Sequence, residues 1–409
     1  MKTDILPDLL RTAEGQEADA ILRACVHCGF CTATCPTYQL LGDELDGPRG
    51  RIYQIKAVLE GQAPTRITQL HLDRCLTCRA CETTCPSGVR YARLADIGRH
   101  YVEERVARPW YERVLRQVLV HVLPFPARTR PLIRLAQGFR PLLPRGLRAK
   151  LPQRRPSHPW PALAGRRRML ALAGCVQSVA TPQTNVAAAR VLSRLGIDLV
   201  EVPEAGCCGA LAYHLNERDA GLDAMRRNID AWWPEIEAGC EAIVVTASGC
   251  GTMVKEYAEV LAHDPRYAEK AARVASLARD PAEILAQEDL SGLGSLGRGR
   301  RVAFHSPCSL QHGQQLKLVV EPILARLGFV PTPVPDGHLC CGSAGTYSIT
   351  QPRLSAQLKT RKLEALASGT PDVIATANIG CQLQLGSDAE VSVVHWLELL
   401  DANEAQTND

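Results

Sequence analysis

Apolar positions shortly after the first cysteine run recur with the period of an α-helix. In the stretch YQLLGDELDGPRGRIYQIKAVLEG, polar and glycine residues come first and predict a loop. From about Arg49 onward, apolar side chains recur at 3.6-residue spacing, at Ile52, Ile55, Val58 and Leu59. This spacing predicts a helix from about Arg49 that buries one face.

In the second half of the chain, strand-like apolar runs alternate with helical patterns. The runs RRRMLALAGC and RRVAFHSPC each predict a buried strand. A helical pattern follows each run, through Ala188, Val191, Leu192 and Leu195 in the first case and through Leu316, Val319, Val320, Ile323, Leu324 and Leu327 in the second. A second strand, a Cys-Cys-Gly turn, a long helix and a third strand complete each pattern. This alternation predicts α/β layers with mostly parallel sheets.

The two strand–helix patterns carry cysteines in the same order, which indicates an internal duplication. The repeated cysteines, 133 residues apart or 131 for the last pair, are Cys175 and Cys308, Cys207 and Cys340, Cys208 and Cys341, and Cys250 and Cys381. Cys240 has no counterpart and is expected to be an ordinary thiol. We expect the copies to be residues 166–298 and 299–409, packed about a pseudo-twofold axis. Their cysteines fall at the C-terminal ends of strands, where open α/β sheets place their sites.

Basic residues are concentrated in the middle of the chain. Residues 113–197 contain 16 lysines and arginines and no acidic residue, so the rest of the chain is net acidic although the overall formal charge is +4. Segments such as RVLRQVLVHVLPFP mix apolar residues with arginine and end at proline, which predicts short amphipathic helices. We expect residues 109–165 to dock on an anionic membrane surface or an acidic partner, while a solvated linker fits the same pattern. Nucleic acid is not expected as a partner, because interleaved aromatic residues are missing.

Length and composition indicate a globular protein of several domains. The chain has 409 residues, is 46% hydrophobic and 22% charged, and is too long for one ordinary core. Its first twenty residues carry acids and no long apolar run, so no signal peptide is predicted, and no uncharged apolar run is long enough for a membrane span. For a chain in the reducing cytoplasm, 17 cysteines favour metal binding or redox chemistry over disulfides.

Two cysteine runs, RACVHCGFCTATCPT and DRCLTCRACETTCPS, share the spacing C-x2-C-x2-C-x3-C-P. This is the bacterial ferredoxin run, in which the fourth cysteine ligates the other of two iron–sulfur clusters. The first predicted [4Fe–4S] cluster is bound by Cys25, Cys28, Cys31 and Cys85. The second is bound by Cys75, Cys78, Cys81 and Cys35. We therefore expect an α+β protein in which residues 1–108 form an α-helical ferredoxin-like domain with two clusters.

Zinc is the alternative for the two cysteine runs, but tetrahedral zinc prefers paired C-x2-C ligands and fits the tripled spacing poorly. For the Cys-Cys-Gly repeats, an iron–sulfur cluster, a zinc ion, a vicinal disulfide and metal-free thiols all remain open. Gly209 and Gly342 directly follow the adjacent cysteines and allow a close approach of the backbone. The further candidate metal sites are Cys175, Cys207, Cys208 and Cys250, and Cys308, Cys340, Cys341 and Cys381.

The sequence resembles a known family over essentially its whole length. ILRACVHCGFCTATCPTYQLLGDELDGPRGRIYQIKAVLEG, HLDRCLTCRACETTCPSGVRY and the two CCG blocks closely resemble the iron–sulfur subunits of bacterial glycolate oxidases. The doubled ferredoxin run is shared with many electron-transfer subunits. Its combination with two CCG repeats is narrower, and is similar to the iron–sulfur subunit of anaerobic glycerol-3-phosphate dehydrogenase and to heterodisulfide reductase subunits.

The resemblance implies an electron-transfer subunit without catalytic residues of its own. Separate FAD-binding subunits would oxidise glycolate to glyoxylate, and this chain would pass the electrons toward a membrane quinone or another acceptor. It would then lie in the cytoplasm, peripherally on the inner face of the cell membrane. The alternatives are a subunit of a related flavoprotein dehydrogenase, of the glycerol-3-phosphate or lactate type, and a thiol–disulfide reductase that uses the CCG repeats.

One departure from the resemblance concerns the CCG repeats. Heterodisulfide reductases carry a fifth cysteine in each repeat, and Met253 and Gln384 stand at those positions here. The departure weighs against a five-thiolate cluster and disulfide-cleaving catalysis, while four thiolates remain enough for an ordinary [4Fe–4S] cluster.

Overall fold

The computed structural model describes residues 1–142, 151 and 159–401. Two compact units are present. The first comprises Met1–Gln117 and His338–Lys362, and the second comprises Val118–Gly337 and the chain from Leu363 onward. Residues 338–362 follow the second ferredoxin run by some 250 positions in sequence, yet they belong to the same unit as both runs.

The N-terminal part of the first unit is helical, and residues 1–117 contain no strand. Its helices are α1 (Pro7–Leu10), α2 (Ala13–Ala24), α3 (Phe30–Ala33), α4 (Pro36–Leu41), α5 (Pro48–Leu59), α6 (Arg66–Asp73), α7 (Ala80–Thr84), α8 (Tyr91–Glu103) and α9 (Trp110–Val122). Pro36 and Pro48 occupy the first helical position of α4 and α5, where the missing N–H costs no hydrogen bond.

Helix α5 confirms the helix that the apolar spacing predicts. Its predicted apolar residues Ile52, Ile55, Val58 and Leu59 are all buried, and each such side chain contributes about 1.5–3 kcal/mol when fully buried. Helix α8 packs against α5 at Gly98, where a Cβ would lie 2.6 Å from Ile55 Cγ1. Only glycine allows this close approach of the two helices, whose shared core includes cysteines of both runs.

The second unit contains two four-stranded parallel sheets of the same topology. Their strands are β1 (Arg167–Ala171), β2 (Ile197–Glu201), β3 (Ile243–Val244), β4 (Ala278–Arg279), β5 (Arg301–His305), β6 (Val330–Pro331), β7 (Val373–Thr376) and β8 (Val393–His395). The order is β2-β1-β3-β4 in one sheet and β6-β5-β7-β8 in the other. The predicted parallel α/β layers are thus confirmed, and β4 and β8 add a fourth strand to each.

The helices around these sheets also follow the repeat, with one difference from the predicted pattern. They are α10 (Pro126–Gly138), α11 (Gln177–Ala180), α12 (Gln183–Arg194), α13 (Ala210–His214), α14 (Arg218–Glu237), α15 (Ser248–Lys255), α16 (Tyr257–Val260), α17 (Ala268–Leu277), α18 (Pro281–Gln287), α19 (Val320–Arg326), α20 (Tyr347–Thr350), α21 (Pro352–Ala367) and α22 (Ile379–Gly386). Helices α20 and most of α21 belong to the first unit. The prediction that the second helical pattern begins at Leu316 is wrong, because Gln315 and Leu318 have positive φ angles of 58° and 57° and interrupt the helix.

Both repeats contribute to a single apolar core in the second unit. Met169 and Leu199 of one sheet and Val302 and Phe304 of the other belong to the same buried cluster. The segments that precede Cys250 and Cys381 also meet directly. The Ser248 amide donates to the Ala377 carbonyl at 3.0 Å, and the Gly249 amide donates to Asn378 Oδ1 at 3.2 Å. This contact between corresponding segments is what a pseudo-twofold arrangement of duplicated domains requires.

The basic middle segment begins with two helices, as the amphipathic pattern predicts. Helix α9 exposes Trp110, Val114 and Val118, which are spaced four residues apart, and α10 exposes Leu132 and Leu135. The later part of the segment, residues 143–150 and 152–158, lies outside the described residues. Within the described ranges, no helix combines the length and apolar character that crossing a bilayer requires.

Candidate functional site

The two ferredoxin runs adopt the same backbone conformation. His27 and Thr77, which occupy equivalent positions between the first two cysteines of each run, have positive φ angles of 58° and 51°. Gly29 and Arg79, which follow the second cysteine, also have positive φ. Each run then enters a short helix, α3 or α7, which carries its third cysteine. Because both loops adopt left-handed backbone conformations at the same positions, they curl in the same way. Three thiols of each run therefore line one cavity.

The first cavity is lined by thiols from both runs. Cys25, Cys28 and Cys31 come from the first run, and Cys85 comes from the end of the second. Arg49, Ile52, Val89 and Tyr91 complete part of its wall. This set of four contains every ligand predicted for the first cluster.

The second cavity has the reciprocal lining. Cys75, Cys78 and Cys81 come from the second run, and Cys35 comes from the end of the first. Cys81 also reaches the wall of the first cavity, so the two cavities are neighbours. Counting the parts open to solvent, their volumes are about 430 and 350 Å³.

The thiols of the two cavities differ in their electrostatic surroundings. Burial, with the charges of Cys25, Cys28 and Cys85, raises the pKa of the Cys31 thiol to about 11. Burial and neighbouring thiols likewise raise the pKa of Cys81. Cys75 is the exception, because the guanidinium groups of Arg51 and Arg99 outweigh the effect of its burial and lower its pKa. Two guanidinium groups therefore act on the Cys75 side of the second cavity.

Two buried polar atoms in the cavity walls point to a bound group with acceptor atoms. The Tyr91 hydroxyl lines both cavities and has no nitrogen or oxygen partner within the described part of the chain; the nearby Cys75 thiol is its polar neighbour. In the first cavity, His27 Nε2 is buried and equally lacks a partner among described residues. Sulfide and thiolate sulfur accept hydrogen bonds from such donors, so the residues present fit iron–sulfur clusters.

Several residues in or behind the wall of the second cavity were not identified from the sequence. Tyr91 and Arg99 lie on α8, and Asp46 and His71 lie behind Arg51. Asp46 and Tyr91 stand close to the runs in the stretches DGPRGR and PSGVRY, and His71 lies four residues before Cys75, whereas Arg99 has no signal of this kind. Such proximity does not distinguish a buried wall residue from a surface charge.

The first CCG repeat brings its four predicted cysteines together. The Cys207 thiol lies within hydrogen-bonding reach of Cys175 and Cys208, and Cys208 lies within reach of Cys250. Hydrogen bonds from both neighbours lower the pKa of Cys207, while the pKa values of Cys175 and Cys208 are raised by donating to it. Met253, at the position of the missing fifth cysteine, is buried.

The turn that carries the adjacent cysteines of the first repeat is fixed by buried side chains. Asn228 Nδ2 donates to the Cys207 carbonyl and the Tyr257 hydroxyl donates to the Cys208 carbonyl, both at 2.9 Å. Gly209 follows with a φ of 89°, and a Cβ there would lie 2.7 Å from the Gly221 carbonyl oxygen. The close approach predicted for this glycine is confirmed.

The cysteines of the second CCG repeat are divided between the two units. Cys340 and Cys341 belong to the first unit and are buried, and Gly342 after them shows the same close approach, to the Ser355 carbonyl oxygen. Cys308 and Cys381 belong to the second unit. None of the 17 cysteines, all of them in the described ranges, is in a disulfide.

Comparison with family models defines the class of protein. Residues 21–89 match the model of a 4Fe-4S dicluster domain, and residues 169–255 and 302–386 match the model of a cysteine-rich domain named CCG. The chain is thus an iron–sulfur protein in which a ferredoxin-type dicluster domain precedes two cysteine-rich domains.

Individual relatives place the chain more narrowly. It is 58% identical over 98% of both chains to the glycolate oxidase iron-sulfur subunit of Escherichia coli (strain K12), and 32% identical over 92% of both chains to a probable glycolate oxidase iron-sulfur subunit of Bacillus subtilis (strain 168). Lactate utilization protein A of the same Bacillus strain is 28% identical, over 54% of this chain and 94% of its own length. The chain belongs to the family of glycolate oxidase iron–sulfur subunits.

Proposed function

We propose that this chain is the electron-transfer subunit of a complex whose separate FAD-binding subunits oxidise glycolate to glyoxylate. The observation that carries the proposal is the pair of adjacent cavities, each lined by three thiols of one ferredoxin run and the last thiol of the other run, with Cys81 reaching both. The strong similarity to glycolate oxidase iron-sulfur subunits supports this substrate class. The lactate and glycerol-3-phosphate alternatives are less well supported, since the lactate utilization relative matches only 54% of the chain.

Two [4Fe–4S] clusters, when bound, would each accept and release one electron at a time. The proposed ligands of cluster 1 are Cys25, Cys28, Cys31 and Cys85. The proposed ligands of cluster 2 are Cys75, Cys78, Cys81 and Cys35. Cys25, Cys31 and Cys81 adjoin the apolar core between α2, α5 and α8, which limits the access of water to their sulfur atoms.

The surface beside the first cavity has the properties of a docking site for the flavoprotein. Val26 and Phe30 flank Cys28 in sequence and are 67% and 61% exposed, and Tyr53 is 59% exposed near His27. Cys28 itself is exposed. Large apolar side chains around an exposed ligand are typical of an interface through which electrons enter. We therefore place the flavoprotein contact at this rim, defined by Val26, Phe30 and Tyr53.

The proposed function predicts that glycolate reduces the clusters only through the bound flavoprotein. In the complex isolated from native cells, glycolate should bleach the visible absorption of the clusters and produce the EPR signals of reduced [4Fe–4S] centres. Combined Val26→Ser and Phe30→Ser should lower the amount of flavoprotein that co-purifies and slow this reduction several-fold, because the rim loses its apolar contact area.

Ile67→Ser provides the matched control, since Ile67 is 65% exposed on α6 of the same unit and is not part of the rim. Its complex should be reduced like the unmodified one. Reduction by glycerol 3-phosphate but not by glycolate would favour the alternative dehydrogenase. Disulfide reduction by the isolated chain would favour a thiol–disulfide reductase.

The CCG repeats are proposed as further metal sites. The four thiols of the first repeat, Cys175, Cys207, Cys208 and Cys250, form a continuous group that suits an iron–sulfur cluster or a zinc ion. By the internal duplication, the second proposed set is Cys308, Cys340, Cys341 and Cys381. Four thiolates, without a fifth, favour an ordinary metal centre over disulfide-cleaving catalysis.

We also propose that the chain lies peripherally on the cytoplasmic face of the cell membrane, near its quinone acceptor. The exposed apolar residues Trp110, Val114 and Val118 of α9 and Leu132 and Leu135 of α10 support this proposal, as does the basic charge around them. Basic residues near an anionic leaflet each contribute about 1 kcal/mol. Arg154 and Arg155, which belong to the same basic segment, lie outside the described residues.

Membrane docking predicts co-sedimentation with anionic vesicles. The complex should sediment with vesicles that contain phosphatidylglycerol at low salt and much less with pure phosphatidylcholine vesicles. Leu135→Asp should reduce binding to the anionic vesicles several-fold, because it places a negative charge on the apolar face of α10. Equal binding of this variant and of an Ile67→Asp control would contradict docking through this helix.

A further inference from the structure

A fully buried arginine lies in the wall of the second cavity. Arg51, on α5, is 1% exposed, and its side chain is held by three acceptors. Nε donates to the His71 carbonyl at 2.8 Å, Nη1 donates to Thr37 Oγ1 at 3.2 Å, and Nη2 donates to Asp46 Oδ1 at 3.4 Å. Thr37 Oγ1 in turn lies 3.3 Å from the Cys35 sulfur. The guanidinium is therefore fixed one side chain away from a proposed ligand of cluster 2.

The positive charge of Arg51 is only partly neutralised. Asp46 is completely buried and also accepts a hydrogen bond from Arg74 at 2.8 Å and contacts the His71 ring nitrogen at 3.0 Å. The single carboxylate of Asp46 thus neutralises part of the charge of two guanidinium groups, those of Arg51 and Arg74. Arg51 lines the cavity whereas Asp46 does not, so the cation is the nearer of the two charges to a bound cluster.

A second arginine increases this positive charge. Arg99, on α8, donates to the Cys75 carbonyl at 2.7 Å and to Thr77 Oγ1 at 2.9 Å. It therefore holds the loop that carries two proposed cluster 2 ligands. Arg51 in the cavity wall and Arg99 on the ligand loop thus place two guanidinium groups beside the second site.

The first cavity has no equivalent buried cation among the residues described for its wall. Its arginine, Arg49, has a side chain that is 38% exposed and bound to Glu44 at 2.6 Å. A paired charge in contact with water acts weakly over distance, whereas a buried charge is screened much less.

We propose that Arg51 sets the midpoint potential of cluster 2 above that of cluster 1, so that an electron entering at the exposed first site comes to rest at the second. Reduction adds a negative charge to a cluster, and a fixed, buried cation stabilises the reduced form more than the oxidised form. The inference rests on the ligand sets and the electron-transfer role proposed above. It assigns a direction of electron flow within the chain, from the rim beside the first cavity toward the second cavity.

Redox titration of the purified holoprotein, followed by EPR, tests the inference. Arg51→Gln should move the potential of cluster 2 to more negative values, changing the distribution of the electron between the clusters by about tenfold or more, which corresponds to about 59 mV for one electron. Cluster 1 should be unaffected. Arg51→Lys keeps the charge and should retain most of the potential. Arg49→Gln, the matched control on the same helix, should shift neither cluster appreciably.

A second test does not depend on the folding of the arginine variants, because the potentials are measured in the unmodified protein and Cys35→Ser serves only to assign the signals. The cluster whose signal disappears in Cys35→Ser should be the one that titrates at the higher potential in the unmodified protein. The opposite order, or an Arg51→Gln variant with full iron content and unshifted potentials, would overturn the inference. Incorrect ligand sets would be recognised separately, because Cys35→Ser would then affect the cluster bound by the first run.

Discussion

Replacing Cys35 with serine should empty the second cluster site and leave the first one loaded. Cys35 precedes α4, is buried, and lines only the cavity that otherwise contains thiols of the second run. A serine hydroxyl is a poor substitute for a thiolate ligand, so the cluster should be lost or become labile. Iron bound per chain at the two sites should fall from about eight atoms to about four, with the EPR signal of one cluster retained.

Cys85→Ser is the matched variant, because Cys85 ends the second run and lines the first cavity. It should remove the other cluster and retain the one that Cys35→Ser removes. If each serine instead removed the cluster of its own run, the crossed ligand sets would be wrong.

The second large effect is expected in the first CCG repeat. Cys208→Ser should remove the metal bound by the first CCG repeat and leave the two ferredoxin-type clusters of the dicluster domain in place, since Cys208 lies between Cys207 and Cys250 in the group of thiols. Metal analysis of iron and zinc, before and after the substitution, measures this loss. Iron beyond about eight atoms per chain identifies a cluster, and zinc near one or two identifies a structural ion.

Cys240→Ser is the control for this substitution. Cys240 is buried in the same core as Cys208 but lies outside the thiol group and has no counterpart in the second repeat. Its variant should keep the full metal content. Identical metal content in the Cys208→Ser and unmodified proteins would contradict a metal site in this repeat.

Local sequence patterns predicted the elements whose residues interact with near neighbours in the chain. The spacing of Ile52, Ile55, Val58 and Leu59 depends only on helix geometry, and α5 buries all four. The alternating strands and helices of the repeats likewise follow from local periodicity. The two-residue strand β4 and the three-residue strand β8 were not predicted. Such short strands depend on pairing with a neighbouring strand rather than on a sequence pattern of their own.

The non-local parts of the site could not be predicted in the same way. The role of Arg51 depends on Asp46, His71 and Thr37 converging on one guanidinium, and the sequence shows only a charged residue near a helix start. The membership of residues 338–362 in the first unit depends on contacts across more than 200 positions. The spacing of the cysteines, in contrast, is a local pattern that by itself predicts which thiols bind the same cluster. The ligand sets could therefore be proposed from the sequence.

The inclusion of residues 338–362 in the first unit also has a consequence for biosynthesis. The Tyr347 hydroxyl donates to the carbonyl of Arg74, directly before the second ferredoxin run. During translation, the N-terminal helices leave the ribosome long before this tyrosine does. The native packing around the second run is therefore completed only when most of the polypeptide has been made.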